Sequence, residues 1–227
     1  MPTVLVADDQ FLIRSGLIAL LQAAPGIDVV GEAQDGEEAI ELAARTRPDV
    51  ILMDIRMPGI SGITATERIL AQAAPPLPKI LVLTTFDLDE YVYGALKVGA
   101  CGFLLKDTPP DRLLAAIDTV HAGDMLFSAS VIKGLIETYT PRPADPEPHS
   151  ALGTLTPREL EVLGLVGAGM SNSDIAQRLV LSTATIKTHV HRCMRKLTLN
   201  SRAQAVVFAY ETGLASRGPA AWPKETT

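Results

Sequence analysis

The chain has 227 residues, of which 47% are hydrophobic and 20% charged, with a formal net charge of −6. That is the composition of a soluble globular protein long enough for one large or two ordinary domains. No apolar stretch approaches the roughly 18 to 20 residues needed to span a bilayer, and no basic region precedes the first apolar run, so the expectation is a cytoplasmic protein with no membrane partner. Two cysteines, Cys101 and Cys193, fall in different halves without metal-type spacing, which argues against a disulfide framework and a zinc site and leaves both as expected core residues.

The net charge conceals an asymmetry. Residues 1 to 125 hold 9 basic and 18 acidic side chains, whereas residues 151 to 217 hold 8 basic and 4 acidic ones. An acidic half joined to a basic half is the pattern expected when only the second meets a polyanion.

In chain order, residues 1–122 alternate short apolar runs with stretches of helical period. Strands are expected at Thr3 to Ala7, Val29 to Ala33, Val50 to Met53, Ile80 to Thr84 and Gly102 to Leu105. Each is rich in Val, Ile and Leu without polar alternation, as in strands buried on both faces. Helices are expected between and after them, at Phe11 to Ala23, Gly36 to Arg45, Thr64 to Ala73, Asp89 to Val98 and Pro110 to His121. Five such units predict an α/β flavodoxin-like doubly wound domain of five parallel strands and five helices, not a barrel, which needs eight.

Residues 123–151 read as a linker: a helix from Ser128 to Thr138, then four prolines between Pro141 and Pro148, which form neither helix nor central strand. Over residues 152–215 helix-start signals recur. Thr156-Pro157-Arg158-Glu159 offers a cap, a proline at the first helical position and a capping-box glutamate. Ser171 to Asp174 and Ser201 to Gln204 repeat the capping pattern, and Ser182 caps a further helix running to about Leu197. The prediction is a small all-α four-helix domain, with a tail over residues 216–227 expected to be disordered.

In open α/β sheets the reactive site forms beyond the carboxyl ends of the strands. Here those ends carry Asp8 and Asp9, Asp54, Thr84 and Lys106. Three carboxylates, a hydroxyl and an ammonium suit phosphoryl chemistry through a hard divalent cation such as Mg²⁺, with a carboxylate as nucleophile. Taken alone, an Asp-Asp pair after a strand is often only a helix cap. Asp35, Asp87 and Glu90 are expected to be ordinary surface or cap residues.

The segments Val6-Ala7-Asp8-Asp9, Met53-Asp54-Ile55-Arg56-Met57-Pro58-Gly59, Leu83-Thr84-Thr85 and Gly102-Phe103-Leu104-Leu105-Lys106 resemble, in that order, the receiver domains of bacterial response regulators. The resemblance implies that Asp54 is the phosphoacceptor. It also implies that Asp8 and Asp9 hold Mg²⁺ with Asp54 and the backbone carbonyl of Arg56, that Thr84 and Phe103 form a switch pair, and that Lys106 contacts the phosphoryl oxygens. The rival reading is an aspartyl-nucleophile phosphatase, whose usual second Asp two residues after the nucleophile is replaced here by Arg56.

From Ser182 to Arg202 there are five basic residues and no acidic one. A helix projected at about 100° per residue places Ile186, Val190, Cys193 and Leu197 on one stripe. Lys187, Thr188, His191 and Arg195 then face away as candidate readers of bases in a DNA major groove, with Arg192 and Lys196 flanking them for phosphates. His189 projects nearer the apolar stripe and reads as structural. Leu155 to Glu159, Ser171-Asn172 to Ile175-Ala176, and Thr185 to Val190 followed by Lys196-Leu197 resemble the LuxR-type helix-turn-helix. With the receiver, this is the pattern of the NarL/FixJ class. That likeness implies a sensor histidine kinase and double-stranded DNA as partners, and a homodimer on activation through the last helix. Val206, Val207 and Tyr210 there would otherwise complete the core. A DNA binder that uses its receiver only for dimerisation is the second rival.

Overall fold

The computed structural model describes residues 1–84, 89–123, 126 and 150–215. The expected linker helix, the proline-rich segment, the tail, Asp87 and the side chain of Glu90 lie outside the described residues. The chain divides into two compact units, Met1–Leu126 and Phe127–Thr227.

The first unit is built on strands β1 (Thr3–Ala7), β2 (Asp28–Ala33), β3 (Val50–Asp54), β4 (Lys79–Thr84) and β5 (Gly102–Leu105). They form one sheet in the order β2-β1-β3-β4-β5, every pair parallel. Helices α1 (Phe11–Ala23), α2 (Gly36–Thr46), α3 (Gly62–Gln72), α4 (Asp89–Val98) and α5 (Pro110–His121) follow the strands in turn. This is the flavodoxin-like doubly wound arrangement the sequence predicts.

The period-two geometry of the strands divides the core in two. Leu5, Ala7, Ile51, Met53, Ile80 and Val82 pack on one face with residues of α2 and α3. Val4, Val6, Val50, Leu52, Leu81 and Leu83 pack on the other with Leu21 of α1 and Leu113, Ile117 and Val120 of α5. Burial on both faces holds for β1, β3 and β4. It fails for β2, whose Asp28 and Glu32 are exposed and whose middle is half-buried, and for most of β5. These two strands are the sheet's edges, where cover is partial. Helix α3 begins two residues before the expected Thr64, because the Ser61 side chain accepts the Thr64 N–H and caps the helix there. Asp35 caps α2 by accepting the Glu38 N–H.

In the second unit a short 3-10 helix at Ser150–Thr154, which the sequence reading assigned in part to the linker, precedes α6 (Pro157–Gly167), α7 (Asn172–Leu179), α8 (Thr183–Lys196) and α9 (Arg202–Glu211). All four carry the expected side-chain caps, Thr156, Ser171, Ser182 and Ser201, and the first two are complete capping boxes. Val206 and Val207 are buried and complete this unit's core; Tyr210 is half-exposed. No described helix is long and apolar enough to cross a membrane.

The tight turn between α7 and α8 is made by Val180 at φ 54° and ψ 46°, with 90% of its surface exposed. The left-handed region is unfavourable for a β-branched residue and open to glycine. Val180→Gly removes that strain without uncovering any core. The second unit should gain about 0.5–1 kcal/mol in urea unfolding; a loss would show that the valine stabilises the turn instead.

Candidate functional site

Because β1, β3, β4 and β5 lie side by side with their carboxyl ends together, the residues that follow or end them converge. Lys106, just past β5, places its Nζ 2.8 Å from Asp8 Oδ2 and 2.9 Å from Asp54 Oδ2. All three side chains are at least nine-tenths buried. The Lys106 N–H donates to the Thr84 carbonyl at 2.8 Å, which ties the end of β5 to the end of β4. Thr84 is itself buried, whereas Asp9 is exposed.

Burial raises the Asp54 carboxyl above the usual carboxylate range, the neighbouring Asp8 charge pushes the same way, and Lys106 and the Arg56 N–H oppose them. For Lys106 burial works against the charged form, but its hydrogen bonds and charge contacts with Asp8 and Asp54 outweigh it, so the ammonium is held above its ordinary value. The lysine is therefore a fixed positive charge between two buried carboxylates.

Asp8, Asp9 and Asp54 each offer a carboxylate oxygen, and these lie within 4.8 Å of one another. Asp8 Oδ1 accepts the Gln10 N–H at 2.9 Å. Asp8 Oδ2 meets the Lys106 ammonium at 2.8 Å and has no other partner among the described residues. A buried carboxylate oxygen with acceptor capacity left over, beside two further carboxylates, fits a hard divalent cation.

Arg56 is exposed, its guanidinium 5.5 Å from the centre of the Tyr91 ring on α4. Phe103 is half-buried and packs against the apolar cluster on the α2–α3 side of the sheet.

Gly62 also shapes the site, although no motif in the sequence marks it. A Cβ there would stand 1.9 Å from the Asp54 carbonyl oxygen, and the Gly62 N–H bonds the Ile55 carbonyl at 2.9 Å. The first turn of α3 thus presses against the backbone of Asp54, leaving space only for hydrogen. The available signal was a glycine at a helix start, where its low helix propensity calls for a packing reason.

In the second unit α7, the turn at Val180-Leu181 and α8 form the helix-turn-helix. Ile186, Val190, Cys193 and Leu197 are buried as the projection required, and His189 is half-buried beside them. The Cys193 thiol donates to the Glu159 carbonyl at 3.3 Å, and burial pushes its pKa up to about 12, so it remains a protonated core group. Cys101 is half-buried at the edge of the first unit's core, its thiol also raised by burial. Lys187, Thr188, His191, Arg192 and Arg195 are exposed.

Lys196 is exposed as well, and its Nζ lies 2.6 Å from Glu159 Oε2 and 3.1 Å from the Thr154 carbonyl, so its charge also holds α8 to the start of α6. Helix geometry alone does not reveal this buried acid on another helix.

Residues 4–118 match the model of the response regulator receiver domain, and residues 153–209 match that of the luxR family of bacterial regulatory proteins. The chain is 44% identical to the transcriptional regulatory protein YxjL of Bacillus subtilis, over 93% of its length and 96% of that protein. It is 37% identical to the nitrate/nitrite response regulator protein NarL of Escherichia coli K12, over 92% and 95%. Among solved structures it resembles the RcsB response regulator of Salmonella typhimurium, at 26% identity and a TM-score of 0.54, covering 92% of this chain and 100% of that one. The chain belongs to the NarL/FixJ class of response regulators, a receiver domain followed by a LuxR-type DNA-binding domain. It is a regulator of transcription, not an enzyme.

Glu159 accepts from Lys196 and from the Thr156 N–H, and these, the lysine foremost, hold its carboxyl down to about 2 against the opposing effect of burial. A carboxylate depressed below its ordinary value of 4.5 contributes stability in full above that pH and loses it as the pH falls toward 2. Glu159→Gln should therefore destabilise the second unit at pH 7, and the gap to the unmodified protein should close between pH 4.5 and about 2. Denaturation at a series of pH values measures it; a gap that does not vary with pH would contradict the pair's role.

Proposed function

We propose that Asp54 accepts a phosphoryl group from a sensor histidine kinase or a small phosphodonor, and that the modification shifts the equilibrium of the DNA-binding domain. The observation that carries this reading is the buried Lys106 contacting Asp8 and Asp54 together. In the transfer, the Asp54 oxygen forms a bond to phosphorus as the bond to the donor's nitrogen or oxygen breaks. The residues fitted to hold Mg²⁺ are Asp8, Asp9, Asp54 and the Arg56 carbonyl; when bound, the ion supplies positive charge to the phosphoryl oxygens. Lys106 turns from the Asp54 carboxylate to the new phosphoryl oxygens, the Thr84 hydroxyl moves toward them, and Phe103 follows inward as the second half of the switch.

Moving a two-state equilibrium from 1:99 to 99:1 takes about 5.5 kcal/mol. Hydrogen bonds to charged groups contribute about 1.5–3 kcal/mol each. Two to four such bonds from Lys106, Thr84 and backbone N–H groups are therefore enough. The face near Tyr91, Lys97 and Lys106 would change with them and favour a homodimer or free the DNA-binding domain. The proposed domain limits are 1–122 for the receiver, 123–151 for the linker and 152–215 for the helix-turn-helix, and the proposed location is the cytoplasm.

On DNA, Lys187, Thr188, His191 and Arg195 would face base edges and Arg192 and Lys196 the phosphates, with the Lys196–Glu159 pair also setting the angle of α8. Incubation with acetyl phosphate and Mg²⁺ should add one phosphoryl group per chain, and none in Asp54→Asn. Continuous release of phosphate from an ester over many turnovers would favour the phosphatase reading. Lys187→Ala and His191→Ala should each cost about 1–3 kcal/mol at the cognate site and much less on random DNA. Arg192→Ala should weaken both alike and lower the salt slope by about 1. Equal losses for all three in titrations at several salt concentrations would overturn the division.

A further inference from the structure

Helix α1 turns an apolar stripe toward the sheet, on which Leu17 is half-buried and Leu21 fully buried, yet the stripe's first member is Arg14, only 9% exposed. Its guanidinium has two hydrogen-bond partners. Nη1 donates to the backbone carbonyl of Asp8 at 2.7 Å in a buried bond, and Nε donates to Glu32 Oε2 on β2 at 3.0 Å. The guanidinium carbon also lies 5.7 Å from the centre of the Phe11 ring.

The ion pair with Glu32 does not account for burying this cation. Glu32 is 55% exposed, and a pair open to solvent on one side contributes about 0–1 kcal/mol. The contact that water does not reach is the one with Asp8. That residue is held on every side: its N–H bonds the Ala33 carbonyl at 3.1 Å, its Oδ1 accepts from Gln10, its carbonyl accepts from Arg14. Its Oδ2, already 2.8 Å from the Lys106 ammonium, keeps acceptor capacity for a ligand beside Asp9 and Asp54.

We propose that Arg14 is a positioning residue of the acidic site. It clamps the Asp8 peptide so that the Asp8 and Asp9 carboxylates stay aimed at a divalent cation, and its charge offsets part of the repulsion among the three carboxylates. It touches neither the phosphoryl group nor the ion. A planar guanidinium reaches the Asp8 carbonyl and Glu32 at once through separate nitrogens; the single compact ammonium of a lysine does not. The inference rests on the reading of the site as a Mg²⁺-dependent phosphoacceptor.

The test is Mg²⁺ titration of the full chain by calorimetry, alongside its thermal unfolding and its phosphorylation by acetyl phosphate. Removing an outer-shell partner of a metal ligand costs about 10–100-fold in metal affinity. Arg14→Ala should raise the Kd for Mg²⁺ about tenfold or more, and Arg14→Lys should raise it measurably while leaving the unfolding midpoint near that of the parent. Glu32→Gln, which loses only the exposed pair, should stay within about twofold. If Arg14→Ala does not fold, Arg14→Lys decides. Parental Mg²⁺ affinity in Arg14→Lys would overturn the proposal while phosphorylation of Asp54 in the parent left the function standing. Mg²⁺ binding that depends on Arg14 with no phosphorylation of Asp54 would do the reverse.

Discussion

The first unit depends on one ammonium group. Lys106 stands within 3 Å of carboxylate oxygens from two different strand ends, all three side chains being buried. Removing two like charges from water into one pocket is costly unless a cation joins them. The sheet order delivers that cation, because β5 lies beside β4 and β4 beside β3, the strand that ends in Asp54. Tethering through the Lys106 N–H and the Thr84 carbonyl, and the close contact of Gly62 with the Asp54 carbonyl, then fix where the charges meet. Three carboxylates meet a single ammonium there, a donor set that suits a divalent cation.

The second unit divides its cations between architecture and surface. Lys196 is bound to Glu159, Arg158 to Glu161 and the Leu179 carbonyl, and Arg202 to Asn172 and the Met170 carbonyl. Each bond joins helices or steadies a helix end. Lys187, Arg192 and Arg195 are left on the exposed side of α8, opposite the buried stripe that seats it. Three exposed cations of this half therefore lie together on α8, with Arg178 exposed on α7.

Where burial follows directly from local pattern, the sequence was a sufficient guide. The central strands are unbroken apolar runs, the helix caps are Ser, Thr and Asp at their expected places, and the stripe of α8 follows from helical period. The site's carboxylates and lysine were found because strand ends are a topological address. What escaped depends on contacts between segments far apart in the chain. The half-exposed edges β2 and β5 read like central strands because an apolar run does not say which neighbours it has. Gly62 and Arg14 are legible only once the backbones of Asp54 and Asp8 are seen against them, although an arginine in register with Leu17 and Leu21 was a sign. The ion pair of Lys196 escaped because its partner Glu159 lies 37 residues away.

The proposal that charge added at Asp54 changes how the second unit engages DNA is tested by affinity for a genomic fragment selected by the protein, measured with and without beryllofluoride and Mg²⁺. Binding should tighten with beryllofluoride in the unmodified chain and remain unchanged in Asp54→Asn. Equal affinity of the unmodified chain under both conditions would contradict the claim and leave the receiver as a dimerisation module only.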